Sequence, residues 1–251
     1  MSRNIRMILQ YDGTRYDGWQ KQGNTDNTIQ GKLEKVLGRM TGQEVEVHGS
    51  GRTDAGVHAA GQVANAHLET EYSVEEIKAY INRYLPEDIL VLEAAEADPR
   101  FHSRLNAVEK IYTYRLDMAE KSQVFERKYR YAVGERLDVE AMKRAAGFLV
   151  GTHDFKSFSS GKQGKKSTVR TLHEISIFAD GTKVDIRFRG DGFLYNMVRI
   201  LTGTLIETGQ GKRDADSMPG ILEAKDRQKA GFTAPARGLF LTEVRYFRKR
   251  S

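Results

Sequence analysis

Short runs in which apolar and polar residues alternate recur along this chain, interleaved with stretches at helical spacing, and this interleaving leaves few folds open. Ile5, Met7, Leu9 and Tyr11 alternate with mostly polar neighbours, which predicts a half-buried strand ending at Asp12-Gly13. From Thr28 the residues Ile29, Leu33, Val36, Leu37 and Met40 recur at helical spacing, and Gly42 is placed to end that helix. Val45 and Val47 mark a further strand. Ser73-Val74-Glu75-Glu76 has the form of a capping box, and the amphipathic helix it opens stops at Pro86. Ile89-Leu90-Val91-Leu92 reads as a short buried strand.

The same kinds of element then repeat. Val108 to Leu116 forms a strand with Tyr112, Tyr114 and Leu116 on one face, and a helix runs from about Asp138 to Val150, closed by Gly151. Two alternating runs flank Asp180-Gly181, a hairpin signal. Phe193 onward reads as a helix running to about Thr208, followed by a short helix near Ile221-Leu222 and a strand from Leu239 to Phe247. Alternation, rather than continuous apolar runs, favours antiparallel pairing. The expected fold is α+β: two similar halves, residues 1–105 and 106–251, with largely antiparallel sheets flanked by helices and a basic cleft between them.

At 251 residues the chain buries a real core without staples, and it contains no cysteine, which removes disulfides, thiol nucleophiles and thiolate metal sites together. No stretch approaches the roughly 20 apolar residues that span a bilayer, and the start runs directly into a strand pattern, so a cytoplasmic protein is expected. Lys and Arg number 40 against 34 Asp and Glu, a net charge of +6. Placement matters more than the sum. Lys156, Lys162, Lys165, Lys166 and Arg170 lie between Phe155 and His173 without one acid, which reads as a mobile basic loop suited to a phosphate backbone or simply to solvent.

Gly49-Ser50-Gly51-Arg52-Thr53-Asp54-Ala55-Gly56-Val57-His58 crowds a carboxylate, an arginine and several glycines into a turn after a strand. Glycine there permits positive φ and close approach of a ligand, so Asp54 is the candidate reactive group; the plainer alternative is that Thr53 or Asp54 caps a short helix. Arg199 stands on a helix that is apolar on most of its surface, and a guanidinium there needs an acceptor; Asp54 is a candidate partner, the alternatives being a structural ion pair or a side chain that snorkels to the surface. Such pairing would keep the carboxylate ionised. Tyr112, between Lys110 and Arg115, either packs a core or offers its ring to a base. His48, Asp54 and His58 do not have a helical metal-ligand spacing, Gly49-Ser50-Gly51 is no dinucleotide fingerprint, and no nucleophile elbow frames Ser157, Ser159 and Ser160 beside His153 and Asp154. Neither metal nor nucleotide cofactor is indicated.

Gly51-Arg52-Thr53-Asp54-Ala55-Gly56-Val57-His58-Ala59, with Tyr11-Asp12-Gly13-Thr14 and Gly18-Trp19-Gln20 upstream, closely resembles the tRNA pseudouridine synthase A family. Phe101-His102-Ser103-Arg104, Lys110-Ile111-Tyr112-Thr113-Tyr114, Asp154-Phe155-Lys156-Ser157-Phe158, Met197-Val198-Arg199 and Thr233-Ala234-Pro235-Ala236-Arg237-Gly238-Leu239 continue the match in family order. The resemblance implies a cofactor-free isomerase that detaches uracil from its ribose, turns it and rejoins it through C5. It implies Asp54 as the catalytic residue, Arg52 holding the target nucleotide out of the stack, Tyr112 against the base and Arg199 paired with Asp54. It further implies a homodimer acting on the anticodon arm of tRNA, at about positions 38 to 40 of the usual count. Phe101, His102, Ser103, Arg104 and Leu105 and the cluster Lys162, Lys165 and Lys166 are then expected to grip the RNA backbone. The basic loop is where the chain matches the family least.

Overall fold

The computed structural model describes residues 2–23, 25–161 and 167–246. Two compact units divide the chain: Met1–Val108 with Leu241–Ser251, and Glu109–Phe240. The chain thus returns at its end to the unit in which it began, whereas a division at 105/106 assigns that end to the second half.

In the first unit, β1 (Ser2–Tyr11) lies between β3 (His58–Glu69) and β4 (Ile89–Glu96), and β2 (Val47–Gly49) flanks β3; all these pairings are antiparallel. Ile5 opposes Ala66 and Met7 opposes Ala64, so these side chains share a face, fully buried with Leu33 and Leu37 of α1 (Ile29–Thr41) and Ile77 and Ile81 of α2 (Val74–Tyr84). Thr28 accepts from the Gly31 amide at the start of α1, and both halves of the Ser73–Glu76 capping box are present on α2. β4 corrects one expectation. It alternates, with Leu90 and Leu92 exposed and Ile89 and Val91 buried, because α2 packs against only one of its faces.

The second unit holds β5 (Glu109–Asp117), β6 (Tyr131–Ala132), α3 (Val139–Leu149), β7 (Gly151–Asp154), β8 (Val169–Asp180), β9 (Lys183–Gly190), α4 (Met197–Gly209) and α5 (Met218–Ala224). Its strand order is β5-β9-β8-β7, antiparallel throughout, with the two-residue β6 parallel beside β5. The hairpin falls where expected, but Asp180 still pairs with Lys183, so Gly181 and Thr182 make the loop. Arg170 and His173 stand on β8 rather than on a loop: Arg170 pairs with His153 of β7, and His173 falls at the register shift between Leu172 and Glu174 in the pairing with β9; Lys162, Lys165 and Lys166 lie outside the described residues. β10 (Leu239–Arg245) starts in the second unit and belongs to the first from Leu241; Phe247, placed on this strand by its sequence, also lies outside the described residues. Among the described residues no helix is long and apolar enough to cross a membrane.

The helix expected from Phe193 begins only at Met197, because Asn196 takes φ 59°, a left-handed conformation that breaks helical propagation. From there α4 is buried at every position except Arg199 and Glu207, as its apolar spacing predicts. Gly203 lies on its crowded side. A Cβ built there would sit 1.9 Å from the Phe232 carbonyl oxygen, so only glycine lets the 230–235 strap lie against the helix.

Candidate active site

No helix follows Asp54; the chain turns directly into β3, so neither Thr53 nor Asp54 serves as a helix cap. The turn is braced from beneath by buried polar groups. The Ser50 amide donates to Val63 O at 2.7 Å and its hydroxyl to Gln62 Oε1 at 2.6 Å, while Gln62 Nε2 returns a bond to Gly51 O at 3.0 Å. Thr53 is buried, its hydroxyl 2.8 Å from the Tyr11 hydroxyl and its carbonyl accepting from the Trp19 amide at 3.0 Å. Burial pushes the Tyr11 hydroxyl well above its ordinary pKa, so it remains a neutral strut. Gly49 carries the Trp19 ring 2.4 Å from where a Cβ would stand. The result is a half-exposed Asp54 between two buried neighbours in the turn, Thr53 and Val57, with Arg52 exposed and its Nε donating to Gln20 Oε1 at 3.0 Å.

His58 is buried, its Nδ1 within 3.1 Å of both the Gly13 amide and Asp12 Oδ1. His48 instead stacks on His102, ring centroids 4.8 Å apart. These residues are thus turned to structural partners, and among the described residues no group of three or more His, Asp and Glu is arranged to hold a metal ion.

His48 lies on the sheet face opposite the helices, where the Phe101–Leu105 segment is fastened. Asn65 Nδ2 donates to Asn4 Oδ1 at 3.0 Å, Asn65 Oδ1 accepts from the Ser103 amide at 2.9 Å, and Asn4 Nδ2 reaches both Asp98 O and Phe101 O at 2.9 Å. The Ser103 hydroxyl donates to His48 O, and the Tyr246 hydroxyl to Ser103 O at 2.7 Å. Ser103 is fully buried, so it secures the segment and does not face outward as a backbone contact must. Arg104 and Leu105 are exposed, Phe101 packs against Tyr246, and His102 is half-buried. Desolvation, then the neighbouring His48, holds the His102 imidazole below its usual pKa.

In the second unit Tyr112 is buried on β5, opposite Phe188 and edge-on to the Phe193 ring at 5.1 Å. Arg199 is half-buried; its Nε donates to Ala234 O at 2.6 Å and its Nη1 to Asn196 Oδ1 at 2.9 Å. The strap that supplies Ala234 is itself tied down. The Tyr114 hydroxyl donates to Pro235 O at 2.6 Å, the Gly231 amide to Thr204 Oγ1 at 2.9 Å, and Arg227 Nη1 to Gly231 O at 2.8 Å. Burial raises the Tyr114 pKa, with the Arg199 cation opposing, so the hydroxyl keeps the proton it donates.

A sequence model of the family described as tRNA pseudouridine synthase matches residues 7–106 and 145–247, well over half of the chain. The chain is 49% identical over 243 residues to tRNA pseudouridine synthase A of Bacillus sp. (strain KSM-64), covering 97% of this chain and 99% of that one. It is 46% identical over 247 residues to tRNA pseudouridine synthase A 2 of Clostridium tetani, covering 98% and 100%, and 44% identical over 244 residues to tRNA pseudouridine synthase A of Acetivibrio thermocellus, covering 97% and 100%. The chain belongs to the tRNA pseudouridine synthase family. It is an isomerase of tRNA uridine.

In this synthase Arg52, Asp54 and Arg199 fall inside the matched stretches, and Tyr112 falls between them. The sequence reading missed the Asn196 and Ala234 contacts to Arg199; the Thr233-Ala234-Pro235 motif was the available signal. The serines form no triad: Ser157 is fully buried and donates to Ile221 O at 2.6 Å, and His153 Nε2 lies 3.0 Å from Val150 O. Asp154 has another task, closing the base of the basic stretch. The Thr168 hydroxyl foremost, then Lys225 and the Lys156 amide, hold its carboxyl below the usual value of 3.8 against opposing desolvation. A depressed carboxylate pKa stabilises the fold above the unfolded value and loses that contribution as pH falls. Asp154→Asn is therefore expected to lower Tm by roughly 2 °C near neutral pH. The difference from wild type should vanish well below pH 3.8 in calorimetry across pH.

Proposed function

We propose that this synthase isomerises uridine in the anticodon stem-loop of tRNA, at about positions 38 to 40, with Asp54 as the catalytic carboxylate and no cofactor. In the overall reaction the N1–C1′ bond breaks, a C5–C1′ bond forms, the C5 proton leaves and N1 gains one, so atoms balance without an outside reagent. An ionised carboxylate serves this as a nucleophile at C1′ or C6, or by stabilising an oxocarbenium-like ribose. The observation that carries the reading is the turn itself: a carboxylate held half-exposed while the residues that lead into it, Ser50, Gly51 and Thr53, are pinned by buried bonds. That is the pre-organisation an active site needs.

The remaining roles follow the same reading. A paired uridine is unreachable inside a stem, so Arg52 holds the extruded nucleotide and Tyr112 packs against its base. Arg199 supplies the cation that keeps Asp54 ionised. Phe101, His102, Arg104 and Leu105, with Lys162, Lys165 and Lys166, contact the RNA backbone and position the arm without reading sequence. The enzyme works in the cytoplasm as a homodimer that holds one tRNA across both subunits.

The decisive experiment incubates purified protein with an unmodified tRNA transcript in the presence of a chelator and maps the pseudouridine formed. Product confined to the anticodon arm is expected; product elsewhere, or dependence on added metal, overturns the assignment. Replacing both Lys165 and Lys166 with alanine should weaken tRNA binding and reduce its salt slope by about two. An unchanged slope moves the RNA surface away from this stretch.

A further inference from the structure

Asn196 is one of only two non-glycine residues with positive φ among the described residues, at φ 59° and ψ 6°, immediately before the helix that carries Arg199. Asparagine tolerates this conformation better than most residues, so the backbone strain alone does not mark it as special. Its side chain does. A guanidinium has donors and no acceptor, so the amide oxygen must be the atom turned to Arg199 Nη1, at 2.9 Å. The amide nitrogen then faces the other way and donates to Ser160 Oγ at 2.7 Å. A backbone bond from the Ser160 amide to Tyr195 O, at 3.3 Å, doubles this joint. With Ala234 O taking Nε from the strap side, the Arg199 head is held between two fixed acceptors on different segments.

We propose that Asn196 is a positioning residue that sets the Arg199 guanidinium and ties it to the chain at Ser160. Its catalytic consequence rests on the reading of Arg199 as the partner of Asp54. The side chain touches no reacting atom; it acts through the arginine. Disturbance of the chain at Ser160 is then passed through one amide group to the arginine.

Asn196→Gly is the clean test, because glycine keeps the left-handed backbone and removes both side-chain bonds. Losing a hydrogen bond to a charged group is expected to lower kcat about tenfold to a hundredfold, with KM for tRNA unchanged. Asn196→Asp retains an acceptor and tolerates the same φ, and is expected to keep most of the rate. Ser160→Ala, which leaves the arginine contact in place, should cost less than Asn196→Gly. The spectroscopic readout is the Arg199 Nη–H resonances in protein labelled with 15N-arginine, assigned by their disappearance in Arg199→Lys, since Nη1 is the group bonded to Asn196 Oδ1. Faster exchange of these protons in Asn196→Gly supports the inference, and unchanged resonances overturn it. If exchange quickens while kcat holds, the positioning stands and Arg199 loses the catalytic role proposed for it.

Discussion

Asp54→Asn is expected to abolish isomerisation, lowering the single-turnover rate by more than about a thousandfold, while tRNA affinity and thermal stability stay close to wild type. The two side chains are nearly the same size, and the bonds that brace the turn come from Ser50, Gln62, Thr53 and Tyr11, with the Val57 amide donating to the Asp54 backbone carbonyl at 3.1 Å. None of these requires the Asp54 charge. What asparagine lacks is the negative oxygen that attacks carbon or stabilises a cationic ribose. Filter binding and rapid-quench turnover on the same preparation separate the two quantities. Turnover that persists in the variant removes Asp54 from the chemistry.

The second large effect concerns packing. Gly203→Ala is expected to destabilise the protein by about 3 kcal/mol and to lower kcat as well, because its new methyl group meets a backbone oxygen that has no rotamer to change. The Phe232 carbonyl carbon is also only 2.8 Å from the site, so the strap itself must lift from α4. Lifting it withdraws Ala234 O from Arg199 Nε and Gly231 N from Thr204. A chain of this length loses about 2–4 °C of Tm per kcal/mol. Gly147 on α3 is the control: a Cβ added there meets nothing within 4 Å, and alanine at this position should be neutral or stabilising through helix propensity. Equal Tm values for the two variants would show that the strap yields easily and does not fix the arginine.

Local signals in the chain were legible where the cause of structure is itself local. The capping box at Ser73, the hairpin at Gly181 and the buried wrap of α4 each depend on residues within a few positions of one another. The display of Asp54 was legible because glycines and strand ends bracket it. The start of α4 was not, since Phe193 and Leu194 continue the apolar spacing and only the left-handed Asn196 interrupts it. The exposure of Leu90 and Leu92 depends on α2 covering β4 on the side of Ile89 and Val91, a fact of tertiary packing that no short window contains. The hold on Arg199 was hidden for the same reason: one acceptor is a backbone carbonyl 35 positions away, and a main-chain group carries no residue-specific mark.

The amide pair beneath the Phe101–Leu105 segment constrains how this protein can drift. Asn65 spends its oxygen on the Ser103 amide and its nitrogen on Asn4, and Asn4 in turn serves Asp98 and Phe101. Both asparagines are nearly inaccessible to water, so swapping either one alone for an aliphatic residue strands several donors and acceptors in the interior. Drift at these two sites is therefore expected to be concerted, each exchange waiting on its counterpart.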